Sequence, residues 1–235
     1  MDLISTVIDE IALEGLAGIT LPTLWTRLLL HQNFDFNDEK VRYFIWENII
    51  IYEIKQKNTF NLYKLPEPRA PFKYYNRNEY VNQNTGTIVE DPTIIPQDIY
   101  GEVCPVNDGV VLGSCYDYKQ RIDLTHEIIK KNSNLSSWFK SFDTEEYVVV
   151  ANQNQRKKAL MGTTVDPFIE LTPNHYAILE RIGRQRHLGE ITTGSEAGHY
   201  KMNAKSLFHY RKLLLSKKLI YKKPCCCLNI KSQQT

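Results

Sequence analysis

The apolar residues at the start of the chain recur at helical spacing and predict three helices. The first helix covers residues 2–14, and the second restarts at Leu21-Pro22, where an early proline costs no hydrogen bond. A third helix begins at a cap formed by Asn37 or Asp38. The residues assigned to the apolar sides of these helices are Leu3, Ile4, Val7, Ile8, Ile11 and Ala12, then Leu24, Trp25, Leu28 and Leu29, then Val41, Phe44, Ile45, Asn48 and Ile49.

After the third helix the pattern changes to β-rich residues. The runs Ile50 to Ile54 and Thr59 to Tyr63 are joined by Lys57-Asn58, which is typical of a β-hairpin. Ile19-Thr20, between the first two helices, fits a very short strand. The order helix, short strand, helix, helix, hairpin is that of a winged-helix domain, which we predict for residues 1–65.

The middle of the chain, residues 66–170, has a more mixed pattern. Three prolines at its start mark a stiff linker. Strand-like runs, a helical run and two turn signals follow, and they predict a small mixed α/β connector. The strand-like runs are Val110 to Tyr118 and Tyr147 to Ala151, the helix is Leu124 to Lys131, and the turns are Asn84-Thr85-Gly86 and Asn107-Asp108-Gly109.

Residues 171–235 repeat the winged-helix order. One helix starts at Thr172-Pro173, and a second, capped by Asn203, runs to about Ser216. The predicted fold class is therefore α/β (α+β), with two winged-helix modules joined by the connector. The smaller predicted features are helix-ending glycines at Gly183 and Gly189, a short strand over Gly189 to Thr192, a turn or short helix over Ser195 to Gly198, a strand beginning at Leu219-Ile220-Tyr221, and an atypical tail with Cys225, Cys226 and Cys227.

The positive charge of the chain is concentrated at its C-terminal end. The formal net charge is only +2, but residues 171–235 contain twelve Lys and Arg against three Glu, a net charge of +9. The remaining residues therefore carry −7. A basic module attached to a mildly acidic body is typical of nucleic-acid binding, although a solvated lysine face on an ordinary domain produces part of the same asymmetry.

The predicted helix from Asn203 to Ser216 combines an apolar side with a cationic side. Lys205, His209 and Lys212 lie on one side of the helix, with Ser206 nearby. A recognition helix needs an apolar side for its own scaffold and a donor-rich side for the major groove, so we predict DNA recognition here. The alternative is an ordinary solvated lysine face. The residues assigned to the apolar side are Ala204, Leu207, Phe208, Leu214 and Leu215.

The predicted DNA-binding set extends on both sides of this helix. Lysines that flank the last strand would lie on a wing and neutralise phosphates, unless they only solubilise a hairpin. Arg211 projects near the middle of the apolar stripe, where it either reaches the rim or pairs with an acid such as Glu180. The full set is Lys201, Asn203, Lys205, Ser206, His209, Arg211, Lys212, Lys217, Lys218, Lys222 and Lys223.

The other basic residues have competing interpretations. Arg181, Arg184 and Arg186 can complement a helix dipole as readily as they bind DNA. The cluster Arg156-Lys157-Lys158 could touch a DNA backbone but is more often solvated. The first module has a near-neutral third helix, which favours protein contact, with DNA contact through wing lysines second. The charged residues concerned are Asp38, Glu39, Lys40, Arg42 and Glu47 on that helix, and Lys55 and Lys57 on the predicted wing.

The sequence lacks the signatures of catalysis, metal binding and membrane insertion. It has no phosphate-cradling glycine loop, nucleophile elbow or HExxH motif, and its six His are scattered without metal-ligand spacing. No stretch approaches the ~20 apolar residues of a membrane span, and the start has no secretory signal. Three consecutive Cys suit neither a disulfide framework nor a zinc site. We expect a non-enzymatic intracellular protein with no catalytic residue, cofactor, metal or membrane association.

Three strings of residues are long and idiosyncratic enough to indicate a family. They are Asp9 to Leu16 followed by Gly18 to Pro22 and Leu24 to Leu28; Gly113 to Tyr116 with Tyr118-Lys119; and Ile178 to Arg184 followed by Gly189-Glu190 and Phe208 to Leu214. Together they resemble the N-terminal region of the largest, B-block-binding subunit of general transcription factor IIIC (TFIIIC), up to about Tyr221.

The resemblance implies winged-helix modules that recognise the B box, an internal promoter element of tRNA genes, inside a multisubunit assembly in the nucleus. TFIIIC then recruits TFIIIB and, through it, RNA polymerase III. The expected partners are double-stranded DNA and other TFIIIC subunits, and an assembly module with little DNA binding of its own is the alternative. The family subunit is much longer, so the chain is expected to be a fragment, a truncated product or a divergent short copy. Its tail from Pro224 departs from the expected second wing strand.

Overall fold

Helices and two small antiparallel sheets make up the computed structural model, which confirms the predicted mixed α/β class. The structure describes residues 2–31, 35–76, 79, 82, 84, 98–130, 135–162, 169–186, 189–190, 200 and 202–222. Predicted features at Thr85-Gly86, Ile191-Thr192, Ser195 to Gly198 and Cys225 to Cys227 lie outside these residues.

The first three predicted helices are confirmed, each with a polar cap at its start. Helix α1 spans Leu3–Leu13, and Ser5 N donates to Asp2 Oδ1 over 2.7 Å. A short 3₁₀ turn, Gly15–Ala17, leads through Ile19 to α2, Leu21–Leu28. Helix α3, Glu39–Ile45, is capped by Asp38. These caps satisfy backbone N–H groups that lack an intrahelical partner.

The predicted hairpin over residues 50–63 is wrong in its first strand. Helix α3 continues through a π-helical segment, Trp46–Ile51, into α4, Tyr52–Lys57, which ends at Asn58 with φ 51°. Ile49, Ile50 and Ile51 are all buried. A short run of consecutive apolar residues fits a buried helix as well as a strand, and here helical packing prevails.

The larger sheet is assembled from strands that lie far apart in sequence. Strand β1, Phe60–Lys64, lies between β4, Ile122–Asp123, and β5, Tyr147–Ala151, and both pairings are antiparallel. Phe60 is opposite Ala151 and Lys64 is opposite Tyr147. Ile19 adds a bridge to Val149, with N–H···O distances of 3.0 and 2.8 Å. Strand β1 of the predicted first module therefore pairs with a strand that begins at residue 147, outside that module.

Elsewhere in the middle segment the described residues form a hairpin and three helices. Strands β2, Pro105–Asp108, and β3, Val111–Ser114, form a hairpin around the turn predicted at Asn107-Asp108-Gly109, and β3 is shorter than the strand-like run predicted there. Helix α5, Thr125–Lys130, and strand β5 are confirmed, whereas α6, Leu135–Phe142, and α7, Gln153–Met161, were not predicted.

The C-terminal segment contains α8, Pro173–Arg184, and α9, Ala204–Ser216, both as predicted in type. Gly183 lies inside α8 and does not end it. The predicted strand at Leu219–Tyr221 is wrong, since residues 217–222 have no strand geometry and Lys218 has φ 58°. A strand needs hydrogen bonds from a partner strand, and no described residue provides them here.

Three apolar clusters of described residues hold these elements together. The largest joins α1 and α2 to the α3–α4 segment and to β1, β5 and α6. A second joins α8 to α9 and includes Val103 and Tyr200, and a third lies under β5 and includes Leu16, Leu65 and Cys115. The winged-helix assignment and the boundaries at residues 65 and 170 stay predictions.

Candidate nucleic-acid interface

The inward side of α9 is defined by two leucines that pack on α8. Leu207 and Leu214 are buried, in one cluster with Ala177 and Ile178. At the start of the helix, Ser206 N donates to Asn203 Oδ1 over 2.7 Å, which confirms the predicted cap. The helix is thus docked along one side and capped at its exposed start.

A polar contact fixes the rotation of α9. Asn174 Nδ2 donates to the Tyr210 hydroxyl over 3.0 Å, and the ring of His175 meets that of Tyr210 edge-on at 4.8 Å. Burial lowers the pKa of His175, which favours its neutral form beside this ring. With Tyr210 held against α8, the opposite side of α9 faces solvent.

The solvent side of α9 carries the predicted cationic residues. Lys205, His209 and Lys212 are all exposed, and none of them forms an ion pair with a described residue. Ala204 and Phe208, which were assigned to the apolar side, are exposed as well, and Phe208 is 59% exposed. The inward stripe runs through Leu207, Arg211 and Leu214, so Phe208 is turned by about 100° toward Lys212.

Arg211 is held by the protein and not by the acid suggested from sequence. Its Nη2 lies 3.8 Å from Glu190 and its guanidinium stacks 5.2 Å from the ring centroid of Tyr200. Pairing with an acid, one of the two alternatives, is therefore confirmed, but the acid is Glu190 and not Glu180, which lies elsewhere in the core. Arg211 positions α9 and is a poor candidate for direct base contact.

The remaining residues of the predicted DNA-binding set differ in how exposed their side chains are. Lys217, Lys218 and Lys222 are exposed directly after α9. Ser206 is half-buried, and the side chain of Asn203 is engaged in the cap. Lys201 and Lys223 lie outside the described residues.

The three arginines at the end of α8 are all engaged in ion pairs or stacking. Arg181 binds Glu190 at 2.6 Å and Asp98 at 2.9 Å. Arg186 binds both Glu10 and Glu14 at 2.6 Å. Arg184 donates from Nε to the Glu14 carbonyl oxygen and stacks 4.0 Å from the centroid of Tyr100. Of the two interpretations left open for this group, the structure favours the structural one.

Glu180 is a buried residue that joins α8 to three other segments. It is fully buried and lies 2.5 Å from Arg156 Nη1 on α7. Its carboxylate also accepts from Ser114 N at 2.9 Å and from Leu16 N at 3.2 Å. Arg156 is consequently a core residue, and of the predicted basic cluster only Lys157 and Lys158 reach the surface.

The carboxylate of Glu14 is held ionised by arginines around it. Burial by itself would raise its pKa, but Arg186, Arg27 and Arg184 outweigh that effect and lower the pKa from 4.5 to about 2. The Tyr100 hydroxyl donates a further hydrogen bond to it. This cluster ties the end of α8 to α1 and α2.

The outer side of the α3–α4 segment is aromatic and almost neutral. Phe44 and Tyr52 are 49% and 48% exposed, and Asn48 is exposed between them. Lys57, one of the predicted wing lysines, pairs with Glu53 at 2.9 Å. Two half-exposed aromatic rings beside a polar amide are typical of a protein-binding surface.

No group of three or more His, Cys, Asp or Glu side chains in the described part of the chain could hold a metal ion. Similarly, none of the described helices has the length and hydrophobicity to cross a membrane.

The chain is similar to known transcription-factor subunits over most of its length. It is 31% identical over 233 residues to general transcription factor 3C polypeptide 1 of Rattus norvegicus, and 31% identical over 228 residues to the protein of that name from Homo sapiens. Each match covers 94% of this chain but only 10% of the relative, so the chain spans about a tenth of their length.

A family model agrees with these relatives and matches the segment that contains α8 and α9. Residues 172–235 match the model described as the B-block binding subunit of TFIIIC. The predicted resemblance is thereby confirmed: the chain is similar to the B-block binding subunit of TFIIIC.

Proposed function

We propose that this chain is a DNA-binding part of TFIIIC that recognises the B box of tRNA-gene promoters in the nucleus, with α9 as its recognition helix. The observation that carries the proposal is the solvent-facing side of α9, where Lys205, His209 and Lys212 are exposed and unpaired among the described residues. The rest of the proposed partners are the other subunits of TFIIIC.

Electrostatics supports this proposal. Exposed lysines that have no acidic partner release condensed counterions when they meet phosphates, which gives strong and salt-dependent binding. His209 lies between the two lysines in sequence and can donate to a base edge in the major groove. Lys217, Lys218 and Lys222 extend the positive surface beyond the end of α9.

The test is a fluorescence-anisotropy titration of the 235-residue chain against a B-box duplex and a scrambled duplex, at several salt concentrations. We expect at least tenfold tighter binding to the B-box duplex, and an affinity that falls steeply with salt. Lys205→Ala should reduce the slope of log K against log salt by about 1 if Lys205 contacts a phosphate.

Lys158→Ala is the matched control, because Lys158 is also exposed but lies on α7. It should leave the salt slope unchanged. Equal loss of binding in both variants would mean that the affinity reflects total charge and not the α9 surface. Equal affinity for both duplexes would contradict recognition of the B box.

A second candidate function, assembly with other TFIIIC subunits, is favoured by Phe44 and Tyr52 on the α3–α4 segment. Apolar rings at a protein interface exclude water and contribute much of the binding energy. The double variant Phe44→Ala, Tyr52→Ala should lower co-purification with the other subunits and leave DNA titrations unchanged. Ile4→Ala, which also removes an exposed apolar side chain, is the control. Unchanged co-purification in the double variant would contradict this assignment.

A further inference from the structure

Phe208 is an exposed apolar side chain beside the cationic residues of α9. It is 59% exposed, and it lies three residues after Lys205 and four residues before Lys212, so all three side chains share one side of α9. Its ring meets that of His209 at a centroid distance of 5.9 Å. The α9 core is already filled by Leu207 and Leu214, so Phe208 adds nothing to that packing.

We propose that Phe208 reads thymine in the DNA, by packing its ring against the 5-methyl group in the major groove. The inference rests on the proposed function and deepens it, because it assigns one residue of α9 to base discrimination. Among the groups at the major-groove edges, the thymine methyl is the apolar one, and a phenylalanine is a suitable partner for it.

The charges around Phe208 select DNA over an apolar protein partner as the occupant of this surface. An apolar ring flanked by two lysines that have no ion pair with a described residue is poorly suited to a hydrophobic protein interface, since both ammonium groups would lose water without gaining a partner. Phosphates on either side of the groove provide that partner. With the lysines of α9 on the phosphates, the ring of Phe208 would lie against base edges in the major groove.

The lysines and Phe208 on α9 have different roles in this proposal because their side chains differ in chemistry. Lys205 and Lys212 contribute affinity that does not depend on sequence, because every nucleotide carries the same phosphate. Phe208 contributes discrimination, because cytosine presents an amino group and no methyl at the major-groove edge. Burial of one methyl group corresponds to about fourfold in affinity.

The experiment compares a B-box duplex with the same duplex in which deoxyuridine replaces every thymidine, a change that removes only the 5-methyl groups. We expect the wild-type chain to bind the deoxyuridine duplex about fourfold more weakly for each methyl group that Phe208 contacts. Phe208→Ala should bind the two duplexes equally and should match the weaker wild-type value. Phe208→Leu, which keeps an apolar contact, should retain part of the preference.

The controls separate this inference from the proposed function. Thermal melting should give the same midpoint for wild type and Phe208→Ala, since the ring is mostly exposed. Binding to the B-box duplex with no methyl preference in the wild type overturns the role of Phe208 alone. An equal preference in wild type and Phe208→Ala also overturns it, because the methyl groups then act elsewhere. Absence of specific DNA binding overturns the proposed function as well.

Discussion

Helices α8 and α9 are close in sequence and both rich in positive charge, yet the structure uses their charges in opposite ways. At the end of α8 and directly after it, Arg181, Arg184 and Arg186 are engaged by carboxylates, a carbonyl oxygen and an aromatic ring. On α9, Lys205 and Lys212 face solvent with no described acid beside them.

The difference shows that local charge alone does not identify a binding surface. Glu10, Glu14 and Asp98, which neutralise these arginines together with the nearby Glu190, lie far away in sequence. Arginine suits such sites because its planar guanidinium can bind a carboxylate and stack on a ring at once. The flexible lysines of α9 remain hydrated and available for phosphates.

The largest expected effect comes from breaking the buried attachment of α8. Glu180→Gln keeps the size of the side chain but leaves the Arg156 guanidinium buried without a carboxylate. We expect a loss of about 3–5 kcal/mol in the free energy of unfolding, measured by urea denaturation. Glu39→Gln removes the carboxylate of an exposed pair with Lys140 and should cost under about 0.5 kcal/mol. Similar losses in both variants would contradict the anchoring role of Glu180.

A smaller effect is expected from acid, through Glu14. Its pKa is about 2 in the folded chain against an ordinary 4.5, so between these values the unfolded chain binds more protons than the folded chain. The stabilisation is therefore complete above about pH 4.5 and is lost as pH falls toward 2, on the order of 3 kcal/mol in total.

Glu14→Gln provides the matching comparison for the acid titration. The difference in unfolding free energy between wild type and Glu14→Gln should shrink as the pH is lowered from 4.5 to 2, because only the wild type then loses an ionised group. A difference that stays constant over this range would show that the carboxylate is not held ionised by Arg186, Arg27 and Arg184.

Features governed by local spacing were predictable, and features governed by distant partners were not. Helix α9 with its Asn203 cap, and the exposure of Lys205 and Lys212, follow from a helical period and a capping residue. The helical state of Ile50 to Ile54 does not, because the choice depends on whether β1 finds a partner nearby or at residue 147. The role of Glu180 could not be predicted either, because its ion-pair and hydrogen-bond partners lie on α7, on β3 and in the turn before α2.

Phe208 marks an intermediate case in which the signal was present but was assigned to the wrong side. Leu207, Arg211 and Leu214 follow an i, i+4, i+7 spacing, and an inward stripe centred on them leaves Phe208 outside. The unexpected arginine within that stripe concealed the pattern. Glu190 compensates the charge of this arginine, and the ring of Tyr200 stacks on its guanidinium.

A moderate effect is expected where α8 meets the β2–β3 hairpin, at Gly113. A Cβ atom at this position would lie 2.5 Å from Leu16 Cβ and 2.9 Å from Glu180 Oε2, and the backbone has φ +153°. We expect Gly113→Ala to lower the free energy of unfolding by about 2 kcal/mol through overpacking. Gly109→Ala, with φ +59° but no atom within 4 Å, should cost about 1 kcal/mol from backbone strain alone. A larger loss at Gly109 would contradict this account of close packing.

The smallest effect on stability should come from a substitution on the solvent-facing side of α9. Lys212 is exposed and has no ion pair with a described residue, so Lys212→Ala should change the free energy of unfolding by less than about 0.5 kcal/mol. The same variant should lower the salt slope of DNA binding by about 1. Arg186→Ala should lower the free energy of unfolding, because it leaves Glu10 and Glu14 without their shared partner. It should leave the salt slope of DNA binding unchanged, because it removes no exposed cation. If Lys212→Ala destabilised the fold and Arg186→Ala weakened DNA binding alone, the two helices would have exchanged the roles that their contacts indicate.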